Sequence, residues 1–184
     1  MCSDRIKGAA VLDIGCGDGH ISRELLRRGA TKTVGIDVGS AMIEVEAASE
    51  HLEKSRTEYY VVGDVAQLKL ELLNTTNQTN LMPMPGAGFD MGVFDVTIAS
   101  FLFNCMSITE MNQCVGDVYS LTKPGGYFIF VVPHPAFNSG RGRDSRNYFA
   151  DRDRLLEQEI EDELKTNTYS KTLQDYTDAV ISDY

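Results

Sequence analysis

A short apolar run that ends in three glycines constrains this chain most: Val11-Leu12-Asp13-Ile14-Gly15-Cys16-Gly17-Asp18-Gly19. A second apolar run ends in an acid, Val34-Gly35-Ile36-Asp37. Continuous apolar strands of this kind suit the centre of a parallel sheet, where both faces are covered. With a helix between them they describe a βαβ unit. Glycine at the exit of the first strand lets the backbone approach a ligand where a Cβ would collide. The next helix points its free N–H groups at that ligand. Asp37 lies 18 residues after Gly19, at the tip of the second strand. A carboxylate there accepts hydrogen bonds from both hydroxyls of a ribose.

The spacing is G-x-G-x-G, not the G-x-G-x-x-G of dinucleotide sites. Asp13 before the glycines and Asp18 among them would repel a pyrophosphate. An acid-headed turn suits a ligand with a positive centre and no phosphate, and S-adenosyl-L-methionine, with its sulfonium and ammonium, is one. At this point the chain resembles the class I S-adenosylmethionine-dependent methyltransferases, whose first motif has the form V-L-D-x-G-C-G-x-G.

Further elements match that family in order. Asp37 is similar to its ribose-binding acid. Gly63-Asp64-Val65 is similar to its third motif, in which the acid meets the adenine amino group and the next N–H a ring nitrogen. Phe94–Ser100 resembles its fourth strand, and Leu121-Thr122-Lys123-Pro124-Gly125-Gly126-Tyr127-Phe128 the turn before its fifth. The resemblance implies a cofactor site of Asp13, Gly15, Cys16, Gly17, Asp37, Val38, Met42, Asp64, Val65 and Ser100. Val38 and Met42 would sandwich the adenine with Val65, or belong to the core. Asp13 would touch the ligand or fix the turn. Phe101 or Phe103 would wall the substrate, with ordinary packing the alternative. His134-Pro135 and Thr172-Leu173-Gln174-Asp175-Tyr176 are similar to features of small-molecule methyltransferases, and the N-P-P-Y of some amino-methylating relatives is absent.

The implied fold is α/β, a Rossmann-like, doubly wound and mainly parallel sheet. Strands are expected at 9–14, Thr33–Asp37, Tyr59–Val62, 94–100 and 126–132, and helices near 19–28, 40–54, 65–73 and 108–122. Residues 74–92 are rich in Asn, Thr, Gln, Pro and Gly and read as an inserted surface loop. Residues 138–147 read as a polar loop, 150–165 as an acidic stretch with helical potential, and 172–183 as an amphipathic helix. One methyltransferase-like domain over 1–184 is expected, with its core at 8–137. Five strands are present; nothing remains for the family's last two strands, and the N-terminal lid helices are short of sequence. A parallel edge without its hairpin leaves hydrogen bonds open, and a homo-oligomer or a partner chain would cover them.

Composition narrows the partners. With 27 acids against 17 bases the net charge is −10, which argues against a nucleic-acid partner. The arginines at 141, 143, 146, 152 and 154 interleave with acids and read as a solvated loop. Cys2, Cys16, Cys105 and Cys114 have no C-x-x-C spacing and no metal-ligand pattern, so free thiols in the cytoplasm are expected and no metal. No stretch approaches the length of a membrane span. Asn74 and Asn77 match the glycosylation pattern but read as polar loop.

The expected reaction is methyl transfer from S-adenosyl-L-methionine to a small-molecule acceptor by in-line displacement. Such chemistry needs alignment and dehydration, and a base only where the nucleophile must lose a proton. His134, just past the fifth strand, is the local candidate for that base; a loop histidine between two prolines is the alternative. His20 reads as lining the cofactor pocket and His51 as solvated. The rival readings are a non-catalytic cofactor-binding subunit that needs a partner, and, less well supported by the glycine spacing, an NAD-dependent oxidoreductase.

Overall fold

A computed structural model describes residues 3–40, 57–72, 92–134, 152–153, 155–161 and 164–181. Its centre is a parallel sheet of β1 (Ala10–Ile14), β2 (Lys32–Asp37), β3 (Thr57–Val62), β4 (Phe94–Ser100) and β5 (Thr122–Val131). The order is β3-β2-β1-β4-β5, and every ladder is parallel. All five strands therefore end on one edge. From β1 the chain winds first to one side and later to the other, so the crevice where open α/β sheets bind ligands falls between β1 and β4.

The helices with described bounds are α1 (Ser3–Ile6), α2 (His20–Arg27), α3 (Ile108–Leu121) and α4 (Leu173–Ile181), and residues 68–72 are helical as well. Alternation along β1 sends side chains to two cores. Val11 joins Leu25 and Leu26 of α2 and Val96 of β4 on one face. Leu12 and Ile14 join Val34, Ile36 and the apolar stripe of α3 on the other. Each such side chain contributes roughly 1.5–3 kcal/mol when fully buried. The α3 stripe is Met111, Cys114, Val115, Val118 and Leu121, as its spacing predicts. A capping box fixes where α3 starts: the Glu110 N–H donates to the Ser107 hydroxyl, and the Ser107 N–H to the Glu110 carboxylate.

Two expectations change. The fifth strand begins at Thr122, because Thr122 pairs with Phe94 before the Pro124-Gly125-Gly126 turn; the register then shifts between Phe94 and Val96. The stretch 150–165 is not helical. Leu155–Glu161 (β6) and Leu164–Tyr169 (β7) form an antiparallel hairpin in a sheet of their own. Acids alternate there at 157, 159 and 161, a period of two that local propensity reads as a charged helix and cross-strand pairing makes a strand. The expected helix at 40–54 beyond Ser40, the 74–92 loop before Gly92 and the loop at 138–147 lie outside the described residues.

The base of the hairpin is tied to the chain that leaves β4. The Ile108 N–H donates to Asp153 at 2.8 Å, and buried Lys171 donates to the Met106 carbonyl. The T-L-x-D-Y segment turns out to be the start of α4, a reciprocal cap: the Thr172 N–H donates to Asp175 (2.7 Å) and the Asp175 N–H to the Thr172 hydroxyl (3.2 Å). Burial pushes the Asp175 carboxyl up, but Thr172 and Arg152 outweigh it and hold it below the usual carboxylate range.

Candidate cofactor and acceptor site

The glycine turn leaves β1 in left-handed backbone, with φ of 68° at Gly15, 54° at Gly17 and 73° at Gly19. Both Gly15 and Cys16 donate their N–H to the Ile36 carbonyl, which ties the turn to β2. The three glycines differ in what surrounds them. A Cβ on Gly15 would lie 2.9 Å from the Leu102 side chain, and one on Gly19 2.1 Å from the Tyr60 hydroxyl. One on Gly17 would meet nothing within 4 Å. Gly17 thus faces open space, and the other two exist to let neighbours pack.

Asp37 reaches across to that open position. Its carboxylate accepts the Gly17 N–H at 2.9 Å and the Gly39 N–H at 2.8 Å, one on each oxygen. Each oxygen keeps acceptor capacity for a hydroxyl. Val38, next along, is 77% exposed. At the tip of β3, Asp64 is exposed and caps the short 3-10 turn Val65–Gln67, accepting the Ala66 N–H at 2.9 Å. Val65 itself is buried, so its side chain belongs to the core. Met42 lies outside the described residues.

Asp13 is fully buried on the α2 side of β1. It accepts the Ser22 hydroxyl at 2.8 Å, and its other carboxylate oxygen has no hydrogen-bond partner. Burial, only partly offset by Ser22, pushes its carboxyl up to about 6. Cys16 is buried too; desolvation and the Asp13 and Asp37 carboxylates push its thiol up, so it stays protonated and inert. The turn therefore gathers three acids, Asp13, Asp18 and Asp37, and among the described residues the nearby cation in an ion pair, Arg23, is 4.0 Å from Asp18. An open cradle at Gly17, an acid with spare acceptor capacity and an orphaned buried carboxylate oxygen fit a ribose-bearing cation such as S-adenosyl-L-methionine.

Across the crevice, Ser100 is half-buried at the end of β4 and pairs with Val131 of β5. His134 is exposed three residues beyond Val131, on the same edge. Phe103 is 1% exposed, with its ring centroid 6.0 Å from Phe128 and 5.7 Å from Phe130, whereas Phe101 is 58% exposed. His20 is the exposed first residue of α2.

Two residues escaped the sequence reading. Tyr60 packs its ring where Gly35 has no Cβ and donates to Glu58 at 2.5 Å; a glycine in mid-strand is the signal for such close approach. Burial and Glu58 push the Tyr60 hydroxyl up. Lys171 sits in a polar stretch without local pattern, and burial lowers its ammonium to about 8.

A Rossmann-like α/β fold with a glycine turn and an acid at the next strand tip is the class these features define. The family described as "Methyltransferase domain" matches residues 6–175, and the chain belongs to it. Among solved structures, the chain is similar to an S-adenosylmethionine-dependent methyltransferase from Methanosarcina mazei, at 19% identity and a TM-score of 0.68, covering 96% of this chain and 79% of that one. It is also similar to such a protein from Mesorhizobium loti, at 16% identity and a TM-score of 0.62, covering 97% and 74%. A third, from Clostridium acetobutylicum, is 12% identical with a TM-score of 0.64, covering 99% and 75%. No curated protein matches the chain by sequence. Among the described residues no helix is long and apolar enough to cross a membrane.

Proposed function

We propose that the chain binds S-adenosyl-L-methionine and transfers its methyl group to a small-molecule acceptor by in-line displacement. The observation that carries this reading is Asp37 facing the open position at Gly17, a ribose acceptor beside a backbone cradle. Asp37 takes the ribose hydroxyls. Gly15, Cys16 and Gly17 offer main chain against the ligand. Asp13 and its orphaned oxygen bias the turn toward positive charge. Val38 would hold one face of the adenine, with Met42 its companion on the sequence reading alone, and Asp64 with the Val65 N–H would read its edge. The Ser100 carbonyl takes the ammonium end. When bound, the cofactor supplies a methyl already activated on a sulfonium, so the chain's own task is alignment and exclusion of water. His134 accepts the proton of a hydroxyl or amine acceptor.

Calorimetric titration with S-adenosylhomocysteine, with NAD as control, tests the reading. Micromolar binding of the first alone is expected; binding of NAD alone would replace it with the oxidoreductase reading. His134→Ala should lower turnover and leave cofactor affinity unchanged, and an unaltered rate removes the base role.

A second reading has one finding behind it. A similar structure is a Haloferax volcanii complex that contains the Trm112 methyltransferase activator. On this reading the chain binds the cofactor and turns over only with a partner, and cofactor affinity without methylation of any acceptor, until a partner is added, would favour it.

A further inference from the structure

We infer that Phe101 is the platform on which the acceptor lies, and that the acceptor is a planar aromatic compound; this rests on the methyl-transfer reading above. Among the described residues two non-glycine residues have positive φ, Asp153 at 58° and Phe101 at 55°. Aspartate tolerates that region, but for a bulky aromatic side chain it is strained and persists only where the surroundings enforce it.

The enforcing contacts are all present. The Phe101 N–H donates to the Val131 carbonyl at 2.8 Å and extends the β4–β5 ladder by one bond. The Cys105 thiol lies 3.8 Å from the Phe101 carbonyl. Leu102 fills the space beside Gly15, and Phe103 is locked into the aromatic core. Lys171 holds the far end of the loop through Met106.

Strand alternation would send Phe101 to the face of Thr97 and Ala99. That core is already filled by Phe103, Phe128 and Phe130. The left-handed turn takes the ring out of it and leaves it 58% exposed at the crevice edge. It adjoins Ser100, and Leu102, the next residue, touches the glycine turn. A strained backbone that keeps an aromatic ring in water gains the fold nothing; its use is a ligand with a face to stack on it.

The probes are 4-nitrocatechol and 7-hydroxyquinoline, with trans-cyclohexane-1,2-diol as the saturated control. Each is titrated into protein saturated with S-adenosylhomocysteine and followed by ligand-observed NMR. Binding of a planar probe and not of the diol is expected. Phe101→Ala should weaken it about fivefold to tenfold. Phe101→Trp should keep it and, in a chain with no tryptophan, report it by emission quenching. Phe101→Asn, suited to left-handed backbone, should weaken it as much as Phe101→Ala does while raising the thermal midpoint by about 2–4 °C. The inference falls if neither planar probe binds, if the diol binds equally well, if Phe101→Ala leaves affinity unchanged, or if Phe101→Asn lowers the midpoint. Failure of S-adenosylhomocysteine itself to bind, seen by calorimetry before any probe is added, removes the methyl-transfer reading and this inference with it.

Discussion

Two neighbouring strands leave the sheet through left-handed backbone, and they do so at different cost. After β1 the residue is Gly15 at φ 68°; after β4 it is Phe101 at φ 55°. The strands are paired, with Ile14 opposite Ala99 one residue before the first and two before the second. Glycine adopts this conformation freely, so the β1 exit lets Leu102 pack against Gly15 and leaves open space two residues on at Gly17. Phenylalanine adopts it with strain, and the β4 turn leaves its side chain 58% exposed. One exit is defined by a missing side chain and the other by one held outside the core. What a turn offers follows from whether its residue is there for the atoms it lacks or the atoms it has.

The sharpest way to break the comparison is inside the glycine turn itself. Gly19→Val should cost about 3–4 kcal/mol, since its Cβ would displace the Tyr60 hydroxyl from 2.1 Å and φ is 73°. Chemical denaturation would show it, and a loss below ~1 kcal/mol would mean that Tyr60 is not a fixed neighbour. Asp13 gives a pH signature of similar size. Burial pushes its folded carboxyl up to about 6, well above the usual aspartate range. The folded state therefore holds its proton more tightly than the unfolded one. Stability is greatest below about 4 and falls as pH rises through 6, by about 2–3 kcal/mol. Asp13→Asn should flatten that slope, and an unchanged slope would assign it elsewhere.

Asp37→Ala should weaken S-adenosylhomocysteine binding by roughly 1–3 kcal/mol, because two backbone donors and the ribose hydroxyls lose their acceptor. Unaltered affinity in calorimetry ends the ribose assignment. The smallest effect on the fold belongs to Gly17→Ala, about 1–2 kcal/mol from positive φ alone, because its Cβ meets nothing. Its effect on cofactor affinity should be far larger than on stability. Equal effects would make Gly17 a structural glycine like Gly19.

Much of the sheet was legible before any coordinates. A buried parallel strand must be apolar throughout, so β1 and β2 announce themselves, and the stripe of α3 is written at helical spacing. The glycines were legible because left-handed backbone at a strand exit excludes most side chains, and Asp37 because it ends an apolar strand. The hairpin was not, because Leu155–Tyr169 gets its structure from pairing across the chain and its acids mimic a solvated helix. Phe101 and Phe103 were equivalent on paper, two aromatics flanking a leucine.

The sequence by itself determined the order of the five parallel strands along the chain, the glycine turn at the end of β1 and the acid at the tip of β2 that faces it. These follow from backbone sterics and from the periodicity of burial, both local. Only the tertiary structure decided which of the three glycines faces open space, that Asp13 is buried with one oxygen unsatisfied, and that Phe101 is exposed while Phe103 fills the core. Each depends on what other segments bring alongside: Tyr60 from β3, Ser22 from α2, and Phe128 and Phe130 from β5. Close packing assigns the space at each position once, and the chain alone does not state which neighbour takes it.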